Sequence, residues 1–144
     1  MEVSVLIATT LRTTNSRDYS PEYIENDVQK LGPEQIKQRA DWTHFYVVCD
    51  NDKIIGCGAI GPYWGKTQES SLFTIFVLPE YQGKGVGRTI IETLEQDEYF
   101  LRAKRIEIPA SITALNFYKK MGYTHKPGYE QPDNELLYRL EKHR

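Results

Sequence analysis

The chain has 144 residues, 40% of them apolar, which suits one domain, 1–144, built round one core. Eighteen basic against 20 acidic residues leave a formal charge of −2, so no overall field recruits nucleic acid or an anionic membrane, and small molecules or peptides are the expected partners. No apolar stretch approaches 18 residues, and "VSVLIA" near the start is too short for a span and lacks the basic lead of a signal peptide, so a cytoplasmic protein is expected.

Residues 2 to 14 admit two readings, because Val3, Val5, Leu6 and Ile7 form a strand-like run while Val3, Leu6, Ile7 and Leu11 keep helical spacing. Ser20-Pro21 is a helix start, and Tyr23, Ile24, Val28 and Leu31 form a stripe ended by Gly32-Pro33. Pro33 opens a further short helix to about Ala40. "THFYVVCD", "KIIGCGAIGPYW" and "TQESSLFTIFVL" then read as an antiparallel meander of three strands over 43–78, turning at Asp50-Asn51-Asp52 and near Gly65-Lys66. Gly56 and Gly58 weaken the middle strand. Cys49 and Cys57 lie in or beside these strands without metal-ligand spacing, so both are expected as buried free thiols and no metal is implied.

After Pro79 the period changes from two to 3.6: Val86, Ile90, Ile91 and Leu94 mark one helix face running to about Tyr99, and "KRIEI" follows as a short strand. Ser111 is a natural N-cap for "ITALNFYKKM", which Gly122 stops behind Lys119 and Lys120. "ELLYRL" supplies a final strand after a Pro-, Gly- and Asp-containing loop from Lys126 to Asn134. The class is α/β.

Glycines at 83, 85 and 87, between a strand and a helix start, let backbone N–H groups converge on a ligand without intervening Cβ atoms. A phosphate or pyrophosphate suits such a seat, with Lys84 and Arg88 adding charge at its rim. Two familiar phosphate loops do not fit. Gly87 is followed by Arg88 and Thr89 where a Walker A loop needs Lys and Ser or Thr, and the G-x-G-x-G spacing after an antiparallel meander is not the dinucleotide fingerprint.

The spacing fits Q-x-x-G-x-G, here Gln82-Gly83-Lys84-Gly85-Val86-Gly87. With "FVLPEYQGKGVG" and "FYKKMGY" in this order, the sequence resembles the GNAT superfamily of acyl-CoA-dependent N-acetyltransferases over nearly its whole length. The resemblance implies a mixed, mainly antiparallel sheet flanked by helices, with acetyl-CoA as donor. Ile75, Phe76 and Val77 would then serve the pantetheine arm through main-chain bonds. Gln82, Gly83, Lys84, Gly85, Val86, Gly87 and Arg88 would surround the pyrophosphate. Tyr118 matches a position that commonly protonates the leaving thiolate; the other reading is a helix aromatic packed beside Phe117 and Met121. Many relatives carry an asparagine one turn earlier in this helix, where this sequence has Thr113, and Asn116 is out of that register. For the general base, Glu69 and Ser71 alternate on one side of the strand entering the site, the strict register favouring Ser71, while Glu69 also reads as a solvated strand-end carboxylate. His44 and His125 show no partner and read as surface or loop residues.

The implied acceptor is the primary amine of a small molecule or peptide, attacking directly in a ternary complex. Tyr19, Tyr63, Trp64 and Tyr129 are candidate walls of its site, and each reads equally well as a loop anchor. Other readings are an acyl-CoA-binding regulatory module without turnover and a ligand-free interaction domain, the latter leaving the alternating glycines unexplained. Relatives usually begin with a strand and then a helix, and here the helix-like pattern starts almost at Met1. The first strand is therefore expected to be missing and residues 3 to about 13 to be helical, with the strand at about 43–50 presenting an uncovered edge through which a homodimer could form.

Overall fold

In the computed structural model, which describes residues 2–144, the chain opens with helix α1, Glu2–Thr13. Its β-branched residues do not make it a strand, because the helical stripe buries Leu6, Ile7 and Leu11 together whereas a strand would split them between two faces. Thr10, buried in the same stripe, returns its hydroxyl to Leu6 O at 2.9 Å, which removes the cost of a hydroxyl among apolar groups. Helix α2, Pro21–Lys30, starts where the sequence predicts: the Ser20 hydroxyl accepts from Tyr23 N at 3.1 Å. Helix α3, Pro33–Trp42, also begins on proline.

Strands β1, His44–Asp50, β2, Lys53–Pro62, and β3, Glu69–Val77, form the expected antiparallel meander. The second half comprises helix α4, Val86–Leu94; helix α5, Glu98–Arg102; strand β4, Arg105–Ser111; helix α6, Leu115–Lys120; strand β5, Thr124–His125; and strand β6, Leu137–His143. They complete one sheet of order β1-β2-β3-β4-β6-β5, antiparallel except between β3 and β4. β1 is its outer strand, with Tyr46 and Val47 exposed. One face carries a core of Ile60, Leu72, Ile106, Ile108 and Leu140 against Ile90, Ile91 and Leu94 of α4. The other face packs Ile55, Cys57 and Leu78 against α1, Ile24 and Ile36.

Four expectations are corrected. The helix from Val86 does not run to Tyr99, because Asp97 turns extended and caps a new helix, its carboxylate accepting from Tyr99 N at 2.9 Å. Ser111 ends β4 instead of capping a helix directly; its hydroxyl still accepts from Ala114 N, at 3.1 Å, and α6 begins at Leu115. Cys49 is exposed, since β1 is an edge strand and its register shifts between Val48 and Cys49. His44 has a partner: its Nδ1 lies 2.8 Å from the buried Asp97 carboxylate, which also accepts from the Tyr46 hydroxyl, so one carboxylate joins β1 to α5.

Gly56 and Gly58 prove to be packing positions. A Cβ on Gly58 would lie 2.6 Å from Ile90 Cγ2 and 3.3 Å from Leu94 Cδ1, so α4 approaches β2 only because side chains are absent there.

On the face of β4 turned away from α4, Glu107 is almost wholly buried and is met by Arg105, by Lys126 at 3.2 Å and by Arg139 at 3.8 Å. Arg105 also reaches Glu69 at 3.0 Å and Glu141 at 2.7 Å, while Arg139 holds Asp133 at 2.8 Å and Glu135 at 3.1 Å. The network latches loop 126–136 to the sheet. Burial works to raise the Asp133 and Glu141 carboxyls. It is outweighed at Asp133 by bonds from Leu137 N–H, Arg139 and Glu135 N–H, and at Glu141 by Arg105 and His143, so both carboxyls are held below their ordinary values.

Two outcomes follow from this packing. Gly58→Ala should lower stability by about 1–3 kcal/mol, read as a shift of the denaturant midpoint, because the branched methyl of Ile90 has no flexible end to give way. Carboxyls depressed in the folded state stabilise it above their unfolded values and stop doing so as pH falls through the folded ones. Stability should therefore be flat near neutrality and decline below about pH 4, and Asp133→Asn should reduce both the stability at pH 7 and the steepness of that acid decline in denaturant titrations.

Candidate active site

Parallel pairing between β3 and β4 covers only Glu69, Ser70 and Ser71 opposite Arg105, Ile106 and Glu107. Beyond those positions the strands part. The separation coincides with a bulge in β3: Cys57 faces Phe76 and Ala59 faces Phe73, so Gly58 alone opposes Thr74 and Ile75, with Thr74 at φ 56°. The extra residue changes parity. Leu72 belongs to the α4 core before it, and Ile75 and Val77 pack against that same core after it. Two bonds hold the bulge: the Cys57 thiol donates to Thr74 O at 3.2 Å and the Arg39 guanidinium to Thr74 Oγ1 at 2.7 Å. Burial pushes the Cys57 thiol up to about 12, which keeps it a neutral donor.

A cavity of about 530 Å³ fills the opening, with 72–77 of β3 on one side and Ile108, Pro109 and Ser111 of β4 on the other. At one end lies the glycine loop. Gly83 and Gly85 have φ of 75° and 86°, and a Cβ on either would meet nothing within 4 Å, so the amides before α4 look onto open space. Gly87 serves differently: a Cβ there would lie 3.1 Å from Phe117 Cζ, so its absence admits the Phe117 ring and brings α6 against α4. Gln82 is a brace: its amide nitrogen donates to Val77 O at 3.0 Å and to Thr14 Oγ1 at 3.1 Å, tying the loop to the ends of β3 and α1.

Tyr118 projects from α6 into the middle of the cavity wall. Its ring is buried, while its hydroxyl, which bonds to no protein group among the described residues, is open to the cavity. Burial, with Cys57 nearby as a lesser cause, raises its affinity for its proton. Ile75, Phe76, Val77, Gln82, Gly83, Gly85, Gly87 and Arg88 all line the same cavity. Lys84 and Val86 do not: the Lys84 ammonium stands 5.7 Å over the Tyr81 ring, and Val86 packs against both cores. Glu69 and Ser71 lie outside it as well, Glu69 paired to Arg105 and Lys66, and Ser71 donating to Glu107 O at 3.1 Å. Thr113 borders the cavity but donates its hydroxyl to Asp18 at 2.8 Å, and Asn116 is exposed.

The far end is walled by Tyr19, by α2 and by Leu137 at the start of β6. Of the four aromatic residues expected there, Tyr19 is present and Tyr63, Trp64 and Tyr129 are not. Tyr63 lies under the Arg105 and Lys126 cations, Lys126 also covers Tyr129, and Trp64 is solvent-exposed. Tyr23 and Asp27 complete the wall instead, and their four-residue spacing on α2 is the sequence signal that marks them. The Tyr19 and Tyr23 hydroxyls donate to Leu136 O at 2.7 Å and Glu135 O at 2.6 Å, joining α2 and the segment before it to the loop.

Residues 41–125 match the family model described as an acetyltransferase (GNAT) domain. No curated protein matches the sequence. Among solved structures, the PaiA N-acetyltransferase of Thermoplasma acidophilum in complex with coenzyme A superposes with TM-score 0.80 at 17% identity, over 99% of this chain and 91% of that one. A GCN5-related N-acetyltransferase of Rhodopseudomonas palustris gives 0.78 at 19% identity, over 99% and 88%. A GNAT family acetyltransferase of Elizabethkingia anophelis with acetyl-CoA bound gives 0.61 at 20% identity, over 78% and 84%. At such identities the likeness is one of fold. The family model spans more than half the chain and contains the bulge, the splayed strands and the glycine loop, and on that ground the chain belongs to the GNAT acetyltransferase family.

Proposed function

We propose that the protein transfers the acetyl group of acetyl-CoA to a primary amine on a small molecule or peptide, by direct attack within a ternary complex. The observation that carries this reading is one continuous cavity, which joins open loop amides to an unbonded tyrosine hydroxyl along an unpaired stretch of strand. CoA or acetyl-CoA in two of the structural neighbours supports the same donor here.

The residues fit that donor. On the edge that β4 leaves uncovered, opposite β2, main-chain groups of Ile75, Phe76 and Val77 can bond an extended pantetheine arm as a strand would, the Val77 carbonyl already accepting from Gln82. The amides at Gly83 and Gly85 and the start of α4 receive the pyrophosphate, with Arg88 inside the cavity and Lys84 at its outer rim. Attack of the neutral amine on the thioester carbonyl forms the amide bond and breaks the carbon–sulfur bond; the sulfur takes a proton from the Tyr118 hydroxyl, the nitrogen releases its excess proton to solvent water, and the tyrosinate is reprotonated from solvent, so that amine and acetyl-CoA become amide and CoA thiol. Burial that strengthens the hold of Tyr118 on its proton equally disfavours a thiolate beside it, so the transfer is between two anions in the same dry surroundings. Glu69 and Ser71, outside the cavity, take no part in this reading.

The test is release of free thiol from acetyl-CoA across a panel of amines, alongside calorimetric titration with CoA. Binding without transfer to any amine would select the regulatory acyl-CoA-binding module, and absence of binding would remove both readings. Tyr118→Phe keeps the ring and forfeits no protein hydrogen bond, so kcat should fall ~10²–10⁴-fold with acetyl-CoA affinity and folding preserved. Wild-type kcat in that variant, with chemistry rate-limiting, would return Tyr118 to packing. Gly85→Glu should abolish CoA binding. Gly85→Ala carries the backbone strain without the charge and should weaken binding far less, since nothing stands within 4 Å of the new methyl.

A further inference from the structure

The acceptor end of the cavity carries a feature that acetyl transfer alone does not require. Among the described residues, the charged side chains lining the cavity are Asp27, Arg88 and Lys120. Arg88 stands in the first turn of α4, and Lys120 ends α6, whose Phe117 touches Gly87. Both cations therefore sit at the glycine-loop end, where the phosphates of the donor belong. Asp27 stands apart on α2, one turn beyond Tyr23 on the same helix stripe, with Tyr19 just ahead of the helix.

Asp27 has no hydrogen-bond or ion-pair partner among the described residues. Burial pushes its carboxyl above the ordinary range. Lys30, on the same helix, offsets this only in part without coming within ion-pair distance, and Glu135 adds to it. A half-buried carboxylate without a partner destabilises a fold, and its retention calls for a cation that arrives with a ligand. The neighbouring groups suit the same cation. Tyr19 and Tyr23 stack at 4.4 Å, and each hydroxyl donates to a loop carbonyl, the Tyr19 oxygen also accepting from Ile112 N–H at 2.8 Å, so the corner offers the Asp27 carboxylate, the Tyr23 oxygen and aromatic surface with no free donor from either phenol. An alkylammonium, which only donates, matches it. A carboxylate, which only accepts, finds no donor on either phenol and a like charge on Asp27.

We infer that the acceptor is a small diamine-class cation, whose second, non-reacting ammonium is seated by Asp27 in the corner formed with Tyr19 and Tyr23. The inference rests on the acetyl-transfer reading for the chemistry at the other nitrogen. It adds that a second charge on the substrate selects it.

Three primary amines of equal chain length separate the cases: putrescine ends in an ammonium, butylamine in a methyl and γ-aminobutyrate in a carboxylate. With the CoA-loaded protein, calorimetry should give putrescine at least about tenfold tighter binding than butylamine, with γ-aminobutyrate weakest, as fits a charge-assisted bond to a partly buried carboxylate. Steady-state kcat/KM with acetyl-CoA should follow the same order, the differences residing in KM. In Asp27→Asn the preference for putrescine over butylamine should shrink to less than about threefold, and Asp27→Lys should turn the order toward γ-aminobutyrate. Equal binding of putrescine and butylamine by the wild type, or a preference that survives Asp27→Asn, would overturn the inference. Selective putrescine binding without acetyl transfer would uphold it and count against turnover alone.

Discussion

The parting of β3 from β4 after three parallel pairs is the constraint on which the rest of this structure depends. A strand inside a sheet normally satisfies its backbone on both sides, and one that loses a neighbour must find other partners or face water. Here the bulge at Thr74 sets the parting and leaves the apolar side chains in place, because one extra residue returns Ile75 and Val77 to the core that Leu72 already serves. A β-branched residue at positive φ costs of order 1–3 kcal/mol, and the bonds from Cys57 and Arg39 hold it there. The slot they keep open is what a strand-like pantetheine arm requires.

Each rim of that slot is fixed by a different device. The donor side relies on close backbone approach: Gly56 and Gly58 bring α4 onto β2, and Gly87 brings α6 onto α4, so the glycine loop sits on a rigid base. The acceptor side relies on charge and hydrogen bonds. Glu107, with its three cations, anchors loop 126–136 to β4, and the two tyrosine hydroxyls carry that anchorage across to α2. Apolar packing preserves one shape for a donor whose outline is constant. A polar latch can be re-lettered residue by residue, which suits the side facing a variable acceptor.

Much of this was legible in the sequence where a local rule acts alone. The meander, the proline-started helices and the strand–loop–helix carrying Gln82 to Arg88 follow from periodicity and from turn chemistry, and the family resemblance placed Tyr118 on its helix. The readings that failed depend on contacts far apart in the chain. Glu69 alternates correctly for a strand entering the site, but its carboxylate is captured by Arg105, 36 residues away. Tyr63 has the loop position of a cavity wall and is instead covered by Arg105 and Lys126. The helix after Leu94 breaks because Asp97 joins His44 and Tyr46 on an edge strand, a meeting that no spacing within either segment announces.

Polar groups without a protein partner collect at one place in this molecule. No buried polar side-chain atom among the described residues lacks a partner, so hydrogen-bond satisfaction is the rule throughout the core. Against that background, the groups left without a protein partner open onto the same cavity, beside the strained backbone at Thr74: the strand edge that β4 leaves, the Tyr118 hydroxyl and the Asp27 carboxylate. Each would be improved for stability alone by a change the fold could readily accommodate, such as closing the strands, a phenylalanine at 118 or an asparagine at 27. Their gathering round one opening is what a ligand explains, since one bound pair can supply a partner strand, a base for the phenol and a cation for the carboxylate at once.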